Sequence, residues 1–179
     1  LIVVAKNDAA HQGLTAQFAD HGRTGPLERA YAALVWGIPH PRTGTIAASL
    51  ARSRHNREKI AVVSDESGRH AVTHYTVAET FPEVSLVRCR LETGRTHQIR
   101  VHLAHRGHPL LGDPVYGGAF RTKAARLSAP ARDALTALGR QALHAELLGF
   151  SHPRTGETLR FESPIPPDIA ALLDTLAKA

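Results

Sequence analysis

No methionine occurs anywhere in this chain, position 1 included, and only one cysteine does. A lone cysteine excludes an internal disulfide framework. Cys89 sits in an alternating apolar run with Val84, Leu86, Val87 and Leu91, which reads as a small core residue rather than a nucleophile. Any run of about eighteen apolar residues is missing as well, so no membrane-spanning helix is expected; the longest clean stretch is Leu1 to Ala5. No secretory signal stands at the start, which points to a reducing, cytoplasmic setting. There is no G-x-S-x-G elbow, no Walker-type glycine loop and no dinucleotide fingerprint, so serine nucleophiles and nucleotide cofactors have no motif here. The missing methionine, and an opening Leu-Ile-Val-Val-Ala that reads as a buried strand entered without turn or cap, together predict that a segment precedes Leu1.

What is present is the composition of a globular domain. Of 179 residues, 42% are hydrophobic and 21% charged, enough to bury a core without staples. The net charge is +6, and 18 of the 22 basic side chains are arginine. A planar guanidinium suits phosphate and stacked bases; an arginine-favouring codon usage explains the same bias equally well.

Patterning predicts a strand at Leu1 to Ala5 and a helix in Gly13 to His21. Strands follow at Arg29 to Gly37, Thr45 to Leu50, Ala71 to Phe81, Val84 to Glu92, Ala142 to Phe150 and Thr158 to Glu162. Helices are expected at His97 to Arg106, Ala131 to Leu138 and Ile169 to Lys178, with a Gly/Pro-rich loop at His108 to Gly118. The letters HPRTG occur twice, at His40 to Gly44 and His152 to Gly156, and read both times as a hairpin turn with glycine at positive φ. Strands outnumber helices and short turns join most of them, which predicts one α+β domain over residues 1–179, built on a largely antiparallel mixed sheet with flanking helices.

The densest chemistry lies in Leu91 to His108. Thr96 is a plausible N-cap for a helix starting at His97, which puts Arg95 at a strand-to-helix junction suited to an anion. Ile99 and Leu103 lie four apart and pack inward, so His97, Gln98 and Arg100 need partners or substrate; the alternative is a capped helix with surface arginines. The spacing of His97, His102, His105 and His108 does not fit a helical metal pair, and no metal is expected. Arg52, Arg54, Arg57 and Lys59 sit, with His55, between two strand-like runs. They form a loop with the charge to grip a phosphate backbone, or simply a solvated one.

Residues 92–118, ETGRTHQIRVHLAHRGHPLLGDPVYGG, closely resemble the long motif of the RluA family of pseudouridine synthases. LIVVAKN at 1–7, the R-x-Y of Arg29 to Tyr31, HAVTHY at 70–75, RQALHA at 140–145 and SPIPPD at 163–168 agree in order. The details are most similar to the synthases of large-subunit ribosomal RNA. The resemblance implies the pseudouridine synthase catalytic fold with its N-terminal part missing. It implies an isomerisation of uridine without metal or organic cofactor and an RNA partner; no membrane partner is expected, and the chain is expected to be a monomer.

The essential aspartate carboxylate, nucleophile or base, lies in an H-R-L-D-x-x-T-S-G-L segment of that family. It is thereby expected about six residues before Leu1, which would leave this chain inactive alone. Tyr31 matches the active-site tyrosine, Arg95 the basic partner of the aspartate, and Ile99 a lining of the base pocket. Asp113, in a Gly-Asp-Pro turn, is read as a loop holder. A non-catalytic RNA-binding module, or a tRNA-directed synthase of the same family, is the alternative.

Overall fold

The computed structural model describes residues 1–54, 56–64 and 67–178, the side chain of Arg121 aside; His55 of the basic loop lies outside them. Seven strands form one sheet: β1 (Glu28–Trp36), β2 (Thr43–Arg52), β3 (Ile60–Val63), β4 (Arg69–Thr80), β5 (Val84–Leu91), β6 (Leu143–Ser151) and β7 (Thr158–Glu162). Their spatial order is β3-β2-β4-β5-β1-β6-β7. Every strand pair is antiparallel, so the mixed element of the expectation is not found.

The helices are α1 (Asp8–Asp20), α2 (Gln98–His105), α3 (Ala129–Leu138) and α4 (Pro167–Ala177), and a 3₁₀ helix spans Gly118–Arg126. Among the described residues no helix is long and apolar enough to cross a membrane.

Alternation along β1 decides the layering. Ala32, Leu34 and Trp36 point to one face, where α3 and α4 cover them with Val84, Leu86, Ile169 and Leu172. Tyr31, Ala33 and Val35 point to the other, where Val87, Cys89, Ile99 and Leu103 meet them. The apolar face of α1 lies over the β6 edge, with Leu14 against Leu148 and Phe150. Each central strand is thus covered on both sides, and β1 reads as a nearly continuous apolar run.

Three sequence expectations are corrected. Leu1 to Ala5 is not a strand: Ile2 and Val4 stand 87% and 74% exposed, and only Val3 and Ala5 touch the core. The helix after it begins at Asp8 rather than near Gly13, because Asn7 caps it by accepting the Ala10 N–H at 2.9 Å. The first HPRTG is not a hairpin turn, since it joins β1 to β2, which are not neighbours. There Gly37 supplies the positive φ (74°). Gly44 lies within β2, where a Cβ would come 2.9 Å from Tyr75 Oη, so its smallness serves a close approach instead. The second HPRTG does turn a hairpin, β6 into β7, with Gly156 at φ 72°.

Candidate active site

Between the end of β5 and the start of α2 the chain turns sharply. The N-cap position is held not by Thr96 but by His97, at φ 55° and without a capping side-chain bond. The turn before it is held from inside the helix. Gln98 Oε1 accepts the Arg95 N–H at 3.0 Å and the Thr93 hydroxyl at 2.7 Å. Gln98 Nε2 donates to Val72 O at 2.9 Å and to Thr73 Oγ1 at 3.0 Å. All the hydrogen-bonding positions of a glutamine amide are thereby engaged, at 2% exposure. Gln98, expected to meet substrate, instead holds the turn that presents Arg95.

Thr73 Oγ1, which accepts from Gln98, also shares a hydrogen bond with His102 Nδ1 at 3.0 Å. His102 is fully buried, and burial pushes its imidazole down to about 4, so it is neutral.

Arg100 also turns inward. Its Nε and Nη2 donate to the two Asp113 oxygens at 2.7 and 2.8 Å, a buried fork-to-fork pair. Asp113 Oδ1 further accepts the N–H groups of Val115 and Tyr116 at 2.9 and 3.0 Å. Burial works to raise this carboxyl, but the bonds from Arg100 and the two N–H groups hold it below the ordinary carboxylate value. Asp113 is the loop holder its Gly-Asp-Pro context implied, and Arg100, expected at the substrate, is committed to it.

The loop so fixed carries Tyr116. Its ring lies 5.0 Å from Arg100 Cζ and edge-on to His97. Its hydroxyl accepts the Ile60 N–H at 2.9 Å and meets His97 Nδ1 at 3.0 Å. His97 is half-buried, and burial and then the Arg100 charge lower its pKa.

Tyr31, Arg95 and Ile99 come to one face of the sheet. Tyr31 stands opposite Cys89 and Ala145, where β1 shifts its register against β6; such irregularities re-aim side chains. Burial raises the phenol, which the Arg29 charge opposes, so Tyr31 keeps its proton. Ile99, 4% exposed, packs in the cluster that Tyr31 abuts.

Arg95 is half-buried and its Nε donates to His70 O at 3.4 Å. Two residues that the sequence reading left out join them. Arg29, 7% exposed, donates from Nη2 to Glu92 O at 3.1 Å. His21, lowered by burial, also feels the charges of Arg95, Arg29 and Arg23. Among the described residues no carboxylate pairs with Arg29 or Arg95. The site therefore joins a neutral phenol to uncompensated guanidinium charge, an arrangement that attracts and ionises a carboxylate. The R-x-Y motif could have pointed to Arg29, and the DPVYGG motif to Tyr116; nothing in the sequence marks His21.

The basic loop connects β2 to β3. Arg52, Arg54 and Arg57 are exposed and Lys59 half-buried. Arg52 Nη1 donates to Arg57 O at 2.8 Å, and Ser53 N to Lys59 O at 2.8 Å. The residue after Lys59 is Ile60, the same one held by Tyr116, so the loop is tied to the N-terminal end of α2.

Residues 1–105 match the RNA pseudouridylate synthase family. Ribosomal large subunit pseudouridine synthase D of Zymomonas mobilis is 49% identical over 176 residues, which cover 98% of this chain and 52% of that protein. An uncharacterized RNA pseudouridine synthase, YlyB of Bacillus subtilis, is 45% identical over 99% of this chain and 52% of its own length. The chain thus spans about half the length of these curated relatives. The solved structure of human RNA pseudouridylate synthase domain containing 1 superposes with a TM-score of 0.72 at 26% identity, covering 96% of this chain and 66% of that one. With more than half of its length matched to that family's model, the chain belongs to the RNA pseudouridylate synthase family.

Proposed function

We propose that this chain supplies most of the catalytic domain of an enzyme that converts uridine in large-subunit ribosomal RNA to pseudouridine. The observation that supports it best is the protonated Tyr31 beside the buried charge of Arg29, which together with Arg95 also bears on His21, within a chain of this family. The target uridine is flipped out of its stack, at a cost of roughly a few kcal/mol, and its base rests against Tyr31 and the Ile99 cluster. An aspartate carboxylate from the segment before Leu1 pairs with Arg95, which keeps it ionised and oriented.

The glycosidic bond breaks, the uracil turns, and carbon 5 joins the ribose. The proton that leaves carbon 5 passes to a nearby base, for which the neutral Tyr31 hydroxyl is the candidate mediator. Arg52, Arg54, Arg57 and Lys59 hold phosphates around the site, and His97 lies between loop and pocket. The enzyme works as a cytoplasmic monomer without metal or organic cofactor.

Release of tritium from ribosomal RNA labelled at uridine carbon 5 tests this reading in the full-length protein. Release that matches pseudouridine formed is the expected result; RNA bound tightly with no release favours a non-catalytic binding module.

A further inference from the structure

Arg29 is the most deeply buried guanidinium of the site and the least satisfied. Its Nε is buried and has no hydrogen-bond partner, its Nη2 reaches only the backbone oxygen of Glu92 at 3.1 Å, and its Cζ lies 5.6 Å from the Phe18 ring centroid. A guanidinium does not lose its proton in such a place, so the charge stays and calls for an anion.

Gly94 records the same contact from the other side. Its φ is not in the left-handed region, so conformational freedom does not explain the glycine. A Cβ there would sit 2.3 Å from Arg29 Nη1, so the guanidinium, held to Glu92 O through Nη2, would have to shift. Arg29 is thus pressed against the backbone of 92–94, immediately before Arg95, and its charge reaches both Tyr31 and His21. His21 Nδ1 is a second buried nitrogen without a partner.

From this geometry we propose that Arg29 is a positioning residue of the reaction: it props the 92–95 turn so that Arg95 faces the reacting carboxylate, and it places a second positive charge beside that same group. This rests on the function proposed above. Arg29 acts through Arg95 and the carboxylate, with no contact to the uridine required.

The test uses the full-length protein and its variants Arg29→Lys, Arg29→Gln, Gly94→Ala and the double variant Arg29→Lys with Gly94→Ala. Gly94→Ala is expected to lower kcat about tenfold or more, because the methyl displaces Nη1. In the Arg29→Lys background, where no Nη1 is present, the same change should cost about twofold or less. In Arg29→Gln the acid limb of the kcat/KM profile should move to higher pH, since the carboxylate has lost one of two neighbouring cations. Arg29→Lys should leave that limb near its wild-type position.

Strictly additive effects at 29 and 94, or an acid limb unmoved in Arg29→Gln, would overturn the proposal. If Arg29→Gln does not fold, the coupling between Arg29→Lys and Gly94→Ala decides alone. If the wild type forms no pseudouridine, the functional reading fails separately. The 29–94 coupling, read as Tm in the same proteins, then still decides whether Arg29 props the turn.

Discussion

At the scale of single residues, burial and hydrogen bonding separate side chains left open to a further partner from side chains that hold others in place. Arg95 is half-buried with one long contact to His70 O, whereas Arg100 is locked to Asp113 at 2.7 Å. Changing Arg95 to Met in the full-length enzyme should leave the thermal transition nearly in place and lower turnover by orders of magnitude, because the carboxylate loses its partner. Near-normal turnover would remove Arg95 from the site.

Asp113→Asn should behave in the opposite way. It leaves a buried guanidinium without its counter-charge, at a cost of about 3–5 kcal/mol, visible as a lower urea midpoint before any effect on chemistry.

His102 adds a pH dependence. Its folded value of about 4 lies below the ordinary 6.5, so the unfolded chain takes up the proton first. The stability that neutral His102 contributes is complete above about 6.5 and is lost as pH falls toward 4. Urea midpoints between pH 7 and 4 should decline more steeply in the wild type than in His102→Asn, which keeps a hydrogen-bonding partner for Thr73 but does not titrate. Equal slopes would show that His102 is not the titrating group.

At the scale of elements, the strands were legible because each alternates or runs apolar between turn residues, and β1 and β5 fall within about a residue or two of where patterning put them. The start of α2 also falls within one residue of its expected place, but the hydrogen bonding that fixes it was not legible. The Gln98 side chain holds Arg95 N three residues back and reaches across to Val72 and Thr73, and the latter two bonds join residues far apart in sequence. Local cap rules favoured Thr96 for its hydroxyl and could not register them. Exposed Ile2 and Val4 show the same limit, since an apolar run is read as a buried strand whether or not anything covers it.

The β2–β3 loop was legible as basic, but its attachment to the site through Ile60, Tyr116 and His97 was not. If Arg52, Arg54 and Arg57 contact phosphates, replacing all three with Gln should weaken RNA binding similarly for all sequences. The log–log salt slope should flatten by roughly 0.7 to 0.9 per lost contact, with the chosen uridine unchanged. An unchanged slope would make the loop a solvated surface.

At the scale of the whole molecule, a single antiparallel sheet is covered by α1 and α2 on one face and by α3 and α4 on the other. The first pair brings Arg29, Tyr31, Arg95 and Ile99 together, and the second closes the main apolar core. Family membership follows from motif and fold together. The site itself was legible only where a motif named a residue, because guanidinium partners such as Arg29 and Glu92 O are set by the sheet rather than by spacing along the chain.

That sheet presents positive charge and a phenol to a carboxylate which, as proposed, comes from residues before Leu1. The most direct check is to incubate unmodified large-subunit ribosomal RNA with the 179-residue chain and, in parallel, with the full-length protein, and to map pseudouridine in each. Pseudouridine at defined positions with the full-length protein and none with the chain alone is the expected result. Pseudouridine formed by the chain alone would contradict it.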